Sequence, residues 1–176
     1  MGSFNFLNLS ESVRQKMLSE VDSDFAAGNL YISSRLNSQG CEFYMTYLKE
    51  SIQNGNEETL ESLIKQNDCL NEIEVHNGVT KKVPINAARL IAQSEFNRFY
   101  IRAVCLEAIE KGVTYVEVYR ARESSRERPE SEALLGGKFN ADDLLKDLRK
   151  SIGVSPQLLP DINSGLSVKI DFNKQY

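Results

Sequence analysis

Residues 86–111 read NAARLIAQSEFNRFYIRAVCLEAIEK, and this stretch decides the fold. Apolar residues recur in it at steps of three or four, which is the spacing of one face of an α-helix. Further apolar residues beside that face predict a central helix that is contacted on more than one side. We expect Asn86 to begin the helix and Lys111-Gly112 to end it. The apolar face consists of Ala88, Ala92, Phe96, Phe99, Ala103 and Leu106.

Two β regions flank this helix. Before it, residues 72–75 and 79–83 alternate polar and apolar side chains around His76-Asn77-Gly78, which predicts a β-hairpin. After it, residues 113–122 predict a strand that packs on the long helix. Residues 123–132 are nearly all charged or Ser, so we expect this stretch to be exposed.

The remaining helices are predicted from apolar residues at helical spacing and from the polar residues that precede them. A Ser or Asn side chain at the start of a helix accepts a hydrogen bond from one of the first free N–H groups. Phe43 is expected on the buried side of the second helix. The predicted helices cover about 10–27 after Asn8 or Ser10, about 41–53, a short stretch after Asn56, and about 141–151 after Asn140.

These elements predict an α+β fold that is predominantly helical. A central long helix is accompanied by a helical N-terminal body, a β-hairpin, one or two further short strands and an extended C-terminal arm. We divide the chain into a helical part, 1–80, and a part with the long helix, strand, charged loop and arm, 81–176, which together form one compact domain. Residues 1–8 and 153–176 contain few core-forming residues, so we expect arms that order against neighbouring subunits.

Composition favours a soluble globular protein. The chain has 176 residues, 41% of them hydrophobic, and a mean hydropathy of −0.38. No apolar run approaches the roughly 20 residues that span a bilayer, and the first residues lack the basic and apolar parts of a secretory signal. Three cysteines without close spacing, Cys41, Cys69 and Cys105, are expected to be reduced core thiols.

The net charge of −4 is unevenly distributed along the chain. Residues 1–80 hold 12 acidic and 5 basic residues, which gives −7, and residues 81–176 hold 13 acidic and 16 basic residues, which gives +3. This asymmetry suits head-to-tail packing of copies or a partner of defined charge, and two ordinary solvated faces are the alternative. On the long helix, Glu95, Arg98 and Arg102 share one stripe, which predicts a ladder of charge pairs.

No residue pattern predicts a catalytic, cofactor-binding or metal site. His76 is the one imidazole, and the cysteines lack the spacing of zinc ligands. Gly136-Gly137-Lys138 lacks the first glycine and the hydroxyl residue of a phosphate-binding loop. Asp142-Asp143 is favourable charge in the first turn of a helix. Carboxylate groups alone are the remaining alternative for a metal site.

The charged segment after the predicted strand is our candidate interface. Its four arginines and four glutamates balance, and because carboxylates repel the phosphates of DNA, a DNA-binding loop is disfavoured. Closely spaced Arg and Glu suit protein–protein contacts, where bidentate ion pairs fix the register. A solvated loop with local ion pairs is the alternative. The candidate interface residues are Arg120, Arg122, Arg126, Arg128, Glu130 and Glu132.

Several stretches resemble small structural proteins of tailed bacteriophages. They read EFNRFYIR at residues 95–102, VYRAR at 118–122, RPESE at 128–132 and GLSVK at 165–169. The segment ARLIAQSEFNR at 88–98 is also similar to the ARxIARTExNR helix of Mu-type phage head-morphogenesis proteins, with Ser94 in place of the usual Thr. The cysteine-containing segment that often follows in that family is absent, and the chain is shorter than a typical member.

The resemblance extends over about residues 85–170 and implies a virion component, assembled in the cytoplasm of a bacterial host, rather than an enzyme. The implied role is a head–tail adaptor (connector) subunit in a ring of identical copies, bound to the portal protein and to a tail or nozzle protein. No membrane contact is implied, and any contact with DNA would lack sequence specificity. The alternatives are a minor head-morphogenesis protein at the capsid or portal, and an accessory enzyme or inhibitor.

Overall fold

A computed structural model of the chain describes residues 3–123, 128–159 and 161–171. Within these residues six α-helices and five strands in two small sheets are present, so the predicted α+β, predominantly helical fold class is confirmed. The helices are α1 (Glu11–Ala26), α2 (Ser38–Asn54), α3 (Glu57–Gln66), α4 (Ala87–Glu110), α5 (Pro129–Glu132) and α6 (Ala141–Lys150). The strands are β1 (Ile73–His76), β2 (Val79–Lys82), β3 (Tyr115–Arg120), β4 (Lys138–Asn140) and β5 (Leu166–Lys169), and a 3₁₀ turn covers Ile162–Ser164.

Side-chain caps explain where most helices begin. Ser10 Oγ accepts from the N–H of Val13, and Asn140 Oδ1 accepts from the first turn of α6. Asn56 forms a reciprocal pair of bonds with Thr59 at the start of α3. Helix α2 begins earlier than predicted, because Asn37 caps it through the N–H of Gly40.

Helix α4 is the centre of the fold. Of its 24 residues, 18 are buried, because α1, α3, α6 and the strands β3 and β5 all pack on it. The predicted burial of Phe96 and Phe99 is confirmed, and Leu106 is half-buried against the core. Asn86 stands at the predicted first position but its side chain makes no capping bond. None of the helices in the described ranges combines the length and the apolar character needed to cross a bilayer.

The two sheets have different environments. The antiparallel sheet β4-β3-β5 packs on α4, with Val116 and Val118 of β3 buried in the core. The second sheet is the predicted hairpin of β1 and β2, in which His76 pairs with Val79. Its turn residues Asn77 and Gly78 have φ of 51° and 75°, as a two-residue type I′ turn requires.

The prediction that the two ends of the chain are arms awaiting a neighbour is wrong for the described residues. Phe4 is buried, and the N–H of Asn5 donates to the carbonyl of Ala121 at 2.7 Å. The ring of Phe6 lies 4.6 Å from that of Tyr100 on α4. At the other end, β5 pairs with β3 and its apolar side chains are buried. Each end contains few apolar residues of its own, but both ends pack on α4 and β3. The composition of the ends does not reveal that surface.

Three side-chain predictions need correction. Arg98 does approach Glu95 at 3.7 Å, but Arg102 pairs with α1 instead of continuing a ladder, and all three side chains are buried. Phe43 is 41% exposed and stacks on Tyr47, because α2 is covered on one side only. All three cysteines are free, yet one of them, Cys41, is exposed rather than in the core.

Candidate functional site

The charged segment predicted as an interface does not form a single cluster. Arg120, on β3, makes an ion pair with Glu132 of the short helix α5. Arg128 and Glu130 are exposed beside it, and Arg126 lies outside the described residues. The alternative of local ion pairs therefore describes Arg120 and Glu132, while an interface role of the exposed residues stays a prediction.

Arg122 is the exception among the predicted interface residues, because it is buried inside the domain. Its Nη1 donates to Gln93 Oε1 of α4 at 3.0 Å, and its Nη2 donates to the carbonyl of Asn163 at 2.7 Å. The guanidinium also lies over the ring of Phe4, 5.4 Å from its centroid. Arg122 thus ties the N-terminal segment, α4 and the turn before β5 together. We exclude it from the candidate interface.

The hairpin is the most exposed regular element among the described residues. Of its eight strand residues, only Glu74 is partly buried. Ile73, Val75 and Val79 are 57%, 70% and 63% exposed, and Ile85, in the connection to α4, is 98% exposed. Alternation in the sequence predicts the two strands, but the described part of the domain leaves both of their faces open apart from the contact of Arg35 with Glu74.

A charge cluster holds the hairpin to the domain. Glu74 Oε2 accepts from Arg35 Nε at 2.6 Å, and Glu74 Oε1 lies 3.4 Å from Lys81 Nζ. The hydrogen bond from Arg35, with the charges of both cations, lowers the pKa of Glu74 below its ordinary value. Because two cations share this single carboxylate, the cluster retains one positive charge at neutral pH.

A polar cleft of about 420 Å³ lies between residues 31–35, the first half of α4, residues 153–155 and residues 161–163. Glu95 and Arg98 of α4 line it, and burial raises the pKa of Glu95. Arg98 donates to the carbonyls of Ser151 and Val154 at 2.6 and 2.9 Å. Its Nε is buried without a hydrogen-bond partner. That Nε lies 3.7 Å from Glu95 Oε1, so the two side chains form a buried ion pair beside the cleft.

A second cleft of about 490 Å³ adjoins the first. It is lined by residues 31 and 33–35 on one side and by all four residues of β1 on the other. Tyr31, Ser33 and Arg35 line both clefts, so the two clefts adjoin at this segment. We name them together the hairpin groove: it extends from β1, along residues 31–35, to Glu95 and Arg98.

Nothing in the sequence pattern predicts this groove. Residues 31–35 belong to no helix or strand predicted above, and the patterns of the hairpin and of α4 do not indicate that these elements border adjoining clefts. The groove presents hydroxyl, guanidinium, carboxyl and main-chain groups, which can bind a polar or polypeptide ligand by hydrogen bonds. Comparisons of the chain with models of known protein families, with curated proteins and with solved structures found no match.

Proposed function

We propose that the chain is an assembly subunit of a tailed-phage virion, acting as a head–tail adaptor through protein–protein contacts. The single observation that supports a binding role best is the hairpin, whose apolar side chains are exposed on both faces. The phage context is supported by the resemblance of residues 88–98 and 165–169 to phage structural proteins.

The exposure of the hairpin favours a partner for two reasons. A two-stranded hairpin is marginally stable by itself, and the ion pair that attaches this one to the domain is that of Glu74 with Arg35. Single exposed apolar residues are ordinary, but here three of the eight strand residues are exposed Ile or Val. Burying one such side chain fully stabilises a complex by about 1.5–3 kcal/mol. The hairpin therefore suits a contact in an assembled particle.

The partners in this proposal are further copies of the chain in a ring, the portal protein, and a tail or nozzle protein. The opposite net charges of residues 1–80 and 81–176 are compatible with head-to-tail contacts between copies. The exposed Arg128 and Glu130 supply a second contact surface. A minor head protein at the capsid or portal would use the same surfaces at another position in the particle.

The test is incorporation into particles. A phage that lacks the gene is complemented with the double variant Ile73→Thr, Val75→Thr, which keeps β-branched side chains but removes their apolar ends. We expect few tailed, DNA-filled particles, with a monomer that still folds. The matched control is Ile109→Thr, which makes a similar change at an exposed apolar residue outside the hairpin. Absence of the wild-type chain from purified particles would contradict the proposal, and so would normal yields from the double variant.

The charged segment is tested in the same assay. Arg128 is exposed, and Arg126 lies outside the described residues in the stretch that the sequence predicts to be exposed. Arg126→Glu with Arg128→Glu reverses two charges, and a change of exposed charge alters folding stability by only about 0.5 kcal/mol. Breaking a buried interfacial ion pair costs about 2–5 kcal/mol, repeated in every copy of a ring. We expect loss of incorporation with unchanged melting. Normal particle numbers would show that this segment is only solvated.

A further inference from the structure

The hairpin groove separates two chain segments that begin side by side. Leu36 and Leu70 form an antiparallel bridge, and the N–H of Asn71 donates to the carbonyl of Arg35 at 2.9 Å. Beyond this point the described structure has no further main-chain hydrogen bond between the two segments, and the side chains of Arg35 and Glu74 form the ion pair that spans them. The groove opens between them, with residues 31–35 on one side and β1 on the other.

The register of the hairpin shows which main-chain groups of β1 face the groove. His76 and Val79 flank a two-residue turn, and the N–H of Val83 donates to the carbonyl of Glu72 at 3.0 Å. Bonding direction alternates along a strand, so the main-chain groups of residues 72, 74 and 76 point to β2. Those of residues 71, 73 and 75 point the other way, which for Asn71 is the side of Arg35. The N–H and C=O groups of Ile73 and Val75 therefore open onto the groove.

The side of the groove formed by residues 31–35 also has a residue whose main chain is not hydrogen-bonded within the described structure. Tyr31 lines the groove, and among the described residues no hydrogen bond joins its main chain to another residue. An extended segment placed in the groove would thus find unpaired main-chain groups on β1 and at Tyr31. A bound polypeptide satisfies such groups with its own main chain, which a compact small molecule does not.

The side chains around the groove indicate which side chains a bound polypeptide would carry. Ile73 and Val75 point to one face of β1, next to the groove, and favour apolar side chains at alternate positions of the ligand. The positive charge left at Arg35, Lys81 and Glu74 favours a ligand carboxylate near the hairpin.

We propose that the hairpin groove binds an extended, carboxylate-bearing segment of a partner polypeptide by strand addition to β1. The segment becomes a third strand beside β1, between it and residues 31–35. This deepens the proposed function, on which it rests only in taking a protein as the partner. It is tested on the isolated chain, so its failure leaves the assembly role standing.

The probe is a random library of linear twelve-residue peptides, selected on the full chain. Val75→Pro removes an N–H that faces the groove and leaves the bonds to β2 intact. Thr80→Pro is the matched control, because Thr80 lies directly opposite on β2 and its N–H faces the other edge of the hairpin. We expect selected peptides to alternate apolar residues around an acidic one. Their affinity should fall about 10-fold or more in Val75→Pro and stay within about 2-fold in Thr80→Pro.

Amide hydrogen exchange on the wild-type chain gives a readout that does not depend on either variant. Without peptide, the amides of Ile73 and Val75 should exchange fast, while those of Glu74 and His76 are protected by β2. With peptide, the first two should become protected as well. The proposal is overturned if no peptide is enriched, if Val75→Pro binds as well as Thr80→Pro, or if the amides of Ile73 and Val75 stay unprotected in the complex.

Discussion

Replacing Arg102 with Met should destabilise the domain by about 3 kcal/mol at neutral pH. The guanidinium is only 2% exposed and lies 5.0 Å from the centroid of the Phe99 ring. Its Nε donates to Glu20 Oε2 at 2.6 Å, and both Nη atoms donate to the carboxylate of Asp24 at 2.6 and 2.8 Å. Met fills much of the same volume but satisfies neither carboxylate.

The size of the effect depends on the contacts that Glu20 and Asp24 retain in the variant. Removing one partner of a buried ion pair costs about 3–5 kcal/mol, because the remaining charge is left uncompensated. Glu20 keeps its contact with Arg149, at 2.5 Å, and Asp24 is partly open to water. Both facts place the cost at the lower end of that range. For a domain of this length, about 3 kcal/mol corresponds to a melting temperature lower by roughly 6–12 °C.

Acid should reduce the difference between wild type and variant. Burial alone would raise the pKa of Glu20, but hydrogen bonds and charges from Arg149 and Arg102 outweigh it and lower the pKa below 4.5. A carboxyl group with a lowered pKa in the folded state stabilises the fold above its unfolded pKa, and this contribution is lost as the pH falls through the folded value. The variant lacks part of it, so the two free energies of unfolding should converge below about pH 4.5.

The assay is urea unfolding followed by circular dichroism at neutral pH and at several acidic values. Arg149→Met is the matched control: it contacts the same carboxylate, but its side chain is 45% exposed, so we expect a cost of about 0–1 kcal/mol. A cost below about 1 kcal/mol for Arg102→Met, or a cost that does not change with pH, would refute the assignment of Arg102 as a buried charge anchor.

Three further predictions concern stability and are measured by urea or thermal unfolding. Phe99→Ala should cost about 3–5 kcal/mol because the ring is buried, whereas Phe43→Ala, on the exposed side of α2, should cost about 0.5 kcal/mol or less. Gly165→Ala should cost about 1–3 kcal/mol, since Gly165 has a φ of 84° and a Cβ there would lie 2.7 Å from the carbonyl oxygen of Arg122; an unchanged melting temperature would contradict this. Burial raises the pKa of Glu57, so ionisation costs the wild type stability as the pH rises above 4.5. The stability of Glu57→Gln should therefore increase relative to that of the wild type over this pH rise, and a difference that does not change with pH would contradict the assignment.

The parts of the fold that the sequence predicted well are those determined by neighbours in the chain. The cap at Ser10 and the reciprocal cap at Asn56 depend on groups within three residues. The turn at Asn77-Gly78 depends on two residues that accept positive φ. Apolar spacing identified α4 because a helix repeats its faces every three to four residues. These interactions are present in the sequence before any tertiary contact forms.

Tertiary structure alone decided where the charged side chains of α4 and β3 go. Helical spacing placed Arg98 and Arg102 on one stripe, but their partners come from Ser151 and from Glu20, far away in the chain. Arg122 looked like its exposed neighbours in composition, yet Gln93 and Asn163 meet it inside the domain. An arginine is buried only where acceptors converge on its guanidinium, and spacing along one element does not reveal what approaches from another.

The hairpin groove was not predicted for the same reason: the pattern of one element does not show what packs against it. By itself the sequence determined a predominantly helical α+β domain with a long central helix and a hairpin ahead of it. It did not determine that the hairpin would lack a covering layer, because alternation describes one strand and not what packs on it. The hairpin groove brings together residues 31–35, β1 and the middle of α4, which are dozens of residues apart. These segments meet only through tertiary packing, which leaves the edge of β1 without a neighbouring strand among the described residues.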